Sequence, residues 1–116
     1  MKLEALFGNT DITNEQGSCG IRKPILKGGH NRHYAVSRVN IQEAKPHFHK
    51  KTWELYIVEK GSGTLLIDGV SHKINEGDVV EIPPNVIHQA IPDDELHVLV
   101  VMSPQNAEVN DIEYVE

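Results

Sequence analysis

No apolar stretch of this chain runs far enough to form a helix before a turn former stops it. Asp68-Gly69 separates Thr64–Ile67 from Val70–Ile74. A two-residue Asp-Gly link needs positive φ and reads as a type I′ hairpin turn. Gly61-Ser62-Gly63, Glu76-Gly77, Pro83-Pro84-Asn85 and Pro92-Asp93-Asp94 read as further turns. The segments between them are short and rich in β-branched and aromatic residues: His33–Ile41, Trp53–Glu59, Asp78–Ile82 and Val86–Ile91. Leu96–Met102 is the most apolar, which predicts a strand buried on both faces or at an interface. The pattern predicts an all-β sandwich or barrel of eight to ten short strands.

Chain length and charge narrow the rest. The chain has 116 residues, enough for one domain with one core. Residues 1–20 read as a flexible N-terminal arm with a short strand at Leu3–Phe7. Residues 21–103 read as the barrel, with Pro24 confining its strand to an edge, and 104–116 as an acidic tail. Within that tail, Ile112, Tyr114 and Val115 are able to add a final strand. A net charge of −6, with no block of like charge long enough to form one, argues against a nucleic-acid footprint. No apolar run is long enough for a membrane span, and the N-terminus is not a secretory signal. Cys19 is the single cysteine, so no internal disulfide forms, which fits a reducing compartment. The expectation is a cytoplasmic protein.

Chemistry concentrates in Pro46–Gly61, P-H-F-H-K-K-T-W-E-L-Y-I-V-E-K-G. His47 and His49 share one face of an extended strand, roughly 6.5–7 Å apart. A bend between Lys50 and Trp53 brings the Glu54 carboxylate back toward them. Two nitrogens and one oxygen suit a divalent transition metal such as Zn, Fe, Mn or Ni. The alternative is a polar face on a surface strand. Thirty residues on, Gly77–His88 (G-D-V-V-E-I-P-P-N-V-I-H) carries a glycine turn, a proline corner and a further histidine.

Together these two stretches resemble the paired motifs of the cupins, small double-stranded β-helix or jelly-roll barrels. His47, His49, Glu54 and Gly61 match the first motif; Gly77, Pro83 and His88 match the second. The resemblance covers about residues 33–102. The chain departs from the pattern at three positions. Ile41 stands where a glycine usually precedes the first motif, and Pro92 stands for the final asparagine. Asn85 replaces a glycine, and asparagine is among the few other residues that enter the left-handed region readily. The resemblance implies that His47, His49, Glu54 and His88 hold one divalent transition metal. It further implies a metal-dependent enzyme of dioxygenase, isomerase or lyase type acting on a small oxygenated metabolite, and a homodimer. A non-catalytic small-molecule or sugar sensor, and a structural or storage protein, are the competing readings.

Other residues are weighed by strand alternation. Inward-facing Glu54 places Tyr56 on the same face, where its hydroxyl reaches a ligand or simply packs. His97 acts as a proton donor if it faces the interior; facing out, it is an ordinary interface histidine. His97 and Tyr56 are therefore the candidate catalytic groups, with Glu81 a weaker third. Arg38 is either a substrate carboxylate anchor or a solvated edge residue. Trp53 points away from Glu54. His30 and His72 read as surface residues, and Cys19 has no evident partner.

Overall fold

A computed structural model describes residues 14–17, 19–26, 33–42, 44–104 and 111–115. Among them there are nine strands and no helix. They are β1 (Glu15–Gln16), β2 (Gly20–Leu26), β3 (Ala35–Ile41), β4 (His47–Phe48) and β5 (Trp53–Ile67). Then follow β6 (Val70–Asn75), β7 (Val79–Ile82), β8 (His88–Ser103) and β9 (Glu113–Tyr114). Every pairing is antiparallel, and the path β1-β2-β3-β8-β4-β9 is joined through β8 to β5, which also carries β6 and β7. The sheet curls into a half-barrel of the jelly-roll, double-stranded β-helix kind. The expected strand at Leu3–Phe7 and most of the proposed arm lie outside the described residues, as does His30.

Two expected turns are absent. Gly61-Ser62-Gly63 lies inside β5, and Pro92-Asp93-Asp94 lies inside β8. The two long strands run together from Trp53↔Ser103 to Ile67↔His88, with register shifts at Val58/Lys60 and Gly61/Gly63. The turn formers instead make bulges, which bend the ladder without breaking it. Gly61 has φ 82°, and a Cβ there would lie 2.0 Å from the Glu95 carbonyl oxygen. Only glycine admits that approach. Pro92 pairs with Gly63 at the edge of the bulge, where a missing N–H is tolerated. Asp93 is held outside by the Ser62 hydroxyl, 2.7 Å away, and by the Lys73 ammonium.

The other turn expectations hold. Asp68 and Gly69 take φ 48° and 81°, as a type I′ turn requires. Asn85 takes φ 67°, the left-handed conformation for which a glycine would otherwise be used. Pro24 sits at the register shift between β2 and β3, beyond the two residues that β1 covers.

Alternation sorts the core. Leu96, Val98, Val100 and Met102 of β8 point inward, against Ala35, Val39 and Ile41 of β3 and Tyr56, Val58 and Leu65 of β5. Burying each aliphatic side chain stabilises the fold by about 1.5–3 kcal/mol. The β8 segment is thus fully buried on one face only. Its outer residues His97, Leu99 and Val101 are half-buried, sheltered by β3 on one side and β5 on the other. Those neighbours account for its apolar character, which does not require burial on both faces.

Candidate metal centre

The interior-facing rows of β4, β5 and β8 bring His47, His49, Glu54 and His88 to one point. His47 and His88 are direct partners across the β4–β8 ladder. Glu54 opens β5, with Ile82 of β7 on one side and Met102 of β8 on the other. His49 follows β4, and its carbonyl accepts the Asn85 N–H at 2.6 Å, tying the proline corner to the first motif. All four are buried, and one ligand atom from each lies within 4.8 Å of every other.

Each imidazole is oriented by a backbone carbonyl at Nδ1. His47 uses Lys45 at 2.8 Å, His88 uses Val86 at 2.9 Å, and His49 uses Asp111. A carbonyl only accepts, so Nδ1 carries the proton in the neutral ring. Nε2 is then left with its lone pair aimed at the common point, as in metal-ligating histidines. Glu54 Oε1 lies 2.8 Å from His49 Nε2 and 3.1 Å from His88 Nε2. Neither contact has hydrogen-bond geometry, and all three atoms are buried without a partner. Buried polar atoms are rarely left so.

Electrostatics follow the same layout. Burial presses the Glu54 carboxyl upward, but the His49 and His88 imidazoles beside it outweigh burial and hold it at about 2. Burial lowers His47, more than the Lys45 carbonyl restores. His49 is also pressed down by burial, yet the Glu54 carboxylate carries it above its ordinary value. Tyr56 is raised well above 10 by burial, reinforced by the Glu54 charge and by Cys19. Its hydroxyl therefore keeps its proton at any ordinary pH.

The donor set fits a divalent transition ion. Metal–ligand bonds of about 2.0–2.2 Å place ligand atoms roughly 3–4.2 Å apart. With Glu54 Oε1 2.8 Å and 3.1 Å from two of the imidazole nitrogens and all four donors within 4.8 Å of one another, only small shifts are needed to meet that. Three neutral imidazoles and one carboxylate leave a net positive charge on such an ion.

His47, His49 and Glu54 close one end of a cavity of about 60 Å³. Its remaining wall carries Tyr56, Cys19, Arg22 and Ser37 among the inward residues Val39, Ile41, Val100 and Met102. Tyr56 meets His88 edge-on, ring centroids 6.1 Å apart. His97 is not there. Leu96 and Val98 face inward, so alternation turns His97 outward, where it lies 3.2 Å from Glu95 and lines an outer groove. The condition for its role as proton donor, an interior position, is not met. Glu81 is likewise exposed on β7. Arg38 is on the outer surface, donating to Glu59 at 3.2 Å. Trp53 and His72 are exposed.

The sequence reading missed Arg22, Ser37, Cys19 and Asp111. Ser37 was legible, because it shares the inward face of β3 with Val39. Arg22 follows once β2 pairs with β3, since Arg22 stands opposite Val39. Cys19 has the Tyr56 hydroxyl for a neighbour, contrary to the expectation that it lacks one. Asp111 carries no sequence signal, since its contacts lie about sixty residues upstream.

The family whose sequence profile matches residues 38–102 is described as a cupin domain. Comparison with curated protein sequences found no match. Among solved structures, a protein from Planctomyces limnophilus superposes with TM-score 0.82 at 21% identity, covering 90% of this chain and 91% of that one. Streptomyces PAC13 with uridine gives TM-score 0.78 at 16% identity, covering 100% and 92%. KdgF from Halomonas sp. gives 0.67 at 21% identity, covering 84% and 91%. At these identities the likeness is one of fold.

Proposed function

This chain belongs to the cupin family, and on that premise we propose that it is a metal-dependent enzyme acting on a small oxygenated metabolite. The observation that carries this reading is the trio of unpartnered buried atoms, His49 Nε2, Glu54 Oε1 and His88 Nε2, at the end of a cavity. A single cation satisfies all three at once, removing a desolvation cost of about 1–3 kcal/mol for each. When bound, a divalent transition ion supplies Lewis-acid polarisation of a substrate oxygen.

The chain's own residues define the rest. A cavity of about 60 Å³ holds about two waters at roughly 30 Å³ each, and so a substrate fragment of only a few heavy atoms. Arg22 gives that cavity a cationic wall suited to a carboxylate. Tyr56, protonated at every working pH, donates a hydrogen bond from the floor and does not act as a base near neutrality. The valines of β3 and β8 exclude bulk water, which strengthens each of these contacts. Dioxygenase, isomerase and lyase chemistries are each compatible with a set of three imidazoles and one carboxylate. The nucleoside dehydratase activity of the structurally similar Pac13 supports the lyase class among them.

A small-molecule sensor without turnover is the second reading. It is favoured by the apolar share of the lining, Val39, Ile41, Val100 and Met102. A homodimer is proposed with either reading, supported by Trp53 and Val79, which stay exposed on the single chain. Light scattering that finds a 13.0 kDa species would refute it.

Elemental analysis of protein purified without a histidine tag tests the metal. Stoichiometric metal in the wild type, lost in His47→Ala, supports the site. Screening under air and under argon against small α-keto acids, diketones, catechols and sugars then separates the two readings. Saturable binding with no product in any screen would favour the sensor.

A further inference from the structure

We propose that Asp111 is a positioning residue for the metal centre, acting through the turn that joins His49 to Glu54; this rests on the metal reading above. His47 and His88 are each oriented by a carbonyl two residues back in their own strand, Lys45 and Val86. Those contacts are local and form with the strand itself. His49 is different. Its Nδ1 partner is the backbone carbonyl of Asp111, from the other end of the domain.

The side chain of the same residue shapes the turn. One Asp111 carboxylate oxygen accepts the Lys50 N–H at 2.8 Å. The other accepts the Lys51 N–H at 2.7 Å, the Thr52 N–H at 2.8 Å and the Thr52 hydroxyl at 2.9 Å. Three successive backbone donors thus converge on one anion, a nest of the kind that fixes a turn's dihedrals. Lys50–Thr52 is the link between two ligands, so its curvature sets how far His49 stands from Glu54. Thr52 is 1% exposed, which leaves its polar groups no solvent to turn to if the carboxylate is removed.

The flanking segment is held against the site independently of that carboxylate. Tyr114 pairs with His47 and Glu113 with Phe48, and the Val115 N–H donates to the Pro46 carbonyl at 3.0 Å. Asp111→Asn therefore removes the anion while β9 retains its own bonds. The amide that replaces one carboxylate oxygen cannot accept the donors facing it.

Zinc(II) affinity of the full-length, tag-free chain, measured by competition with a chelating dye, is read beside the long-range nitrogen-15 spectrum of the metal-free histidines at pH 8. In the wild type His49 shows only the Nδ1–H tautomer; finding the Nε2–H form there overturns the proposal without any variant. Asp111→Asn is expected to weaken zinc roughly 10–100-fold and to mix the His49 tautomers while His47 and His88 keep theirs. Unchanged zinc affinity, or equal disturbance of all three rings, overturns it by showing either no role or general loosening. A wild-type zinc titration that is flat removes the metal reading and this inference with it, and is recognised because the wild type itself fails.

Discussion

His47 and His88 stand directly opposite one another in the β4–β8 ladder, their ring centroids 4.3 Å apart. Antiparallel partners share a face, so the ladder alone places both imidazoles on the interior side of the sheet. Forty-one residues separate them, and only the folded sheet makes them neighbours. A metal held by the proposed site would stabilise the native chain by mass action, about 2.7 kcal/mol at a hundredfold excess over Kd. A chelator should therefore lower the wild-type melting temperature. His88→Ala should melt at one temperature with or without chelator, because removing one of four ligands abolishes tight binding. A calorimetric scan of both proteins checks this, and a chelator effect that survives in His88→Ala would place the metal elsewhere.

Tyr56 has two separable parts. Its ring is 2% exposed and packs in the core, while its hydroxyl meets the cavity beside Cys19. Tyr56→Ala removes the ring and should cost about 3–5 kcal/mol in urea unfolding. Tyr56→Phe keeps the ring and should cost no more than about 1–2 kcal/mol, the value of one hydrogen bond. Turnover by Tyr56→Phe, once a substrate is known, should fall by at least tenfold with metal content unchanged. Wild-type turnover in that variant would reduce Tyr56 to packing alone.

The β pattern was readable because its signals are local. Asp68-Gly69 specifies a hairpin by φ alone, and the inward face of β5 follows from Glu54 by counting in twos as far as Val58, where the first bulge changes the phase. The long strands were not readable. Gly61, Gly63 and Pro92 are turn formers by composition, and whether such a residue turns a chain or bulges a ladder depends on a partner strand thirty residues away. His97 was ambiguous for a related reason: in an apolar run, alternation is visible but its phase is not, until a register such as His97↔Lys60 fixes it. Asp111 was silent because three of the four donors to its carboxylate, the N–H groups of Lys50, Lys51 and Thr52, are backbone, and backbone donors carry no residue identity.

Two positive-φ positions give opposite outcomes on substitution. Asn85 at φ 67° already strains a side chain, so Asn85→Gly should be neutral or stabilise slightly, and Asn85→Val should cost about 1–2 kcal/mol. Gly61→Ala combines positive φ with a Cβ 2.0 Å from the Glu95 carbonyl oxygen, backbone that cannot yield without opening the β5–β8 ladder. It should be the most damaging of the three, at about 3 kcal/mol or above. Urea midpoints of the three variants check the order. Gly61→Ala unfolding at the wild-type midpoint would show that the bulge is free to rearrange.

Acid should act on the Asp111 turn in a defined window. Burial opposes the charge on Asp111, but the Lys51, Lys50 and Thr52 donors outweigh it and hold the carboxyl at about 2, against an ordinary value of 3.8. A carboxyl depressed by folding stabilises the native state wherever the unfolded chain is ionised. That contribution is complete above about pH 5 and is lost progressively as pH falls through 3.8 and on through about 2. Asp111→Asn lacks the group and hence the pH dependence. The gap in urea midpoint between wild type and Asp111→Asn, measured on metal-free protein, should be constant from pH 7 to 5. It should then narrow steadily between pH 4 and pH 2.5. Glu54 is depressed in the same direction by His49 and His88, so the comparison is made in a Glu54→Gln background, which removes its titration from both proteins. A gap that stays level to pH 2.5 would mean that the Asp111 carboxylate contributes through shape alone, with its charge playing no part in holding the turn.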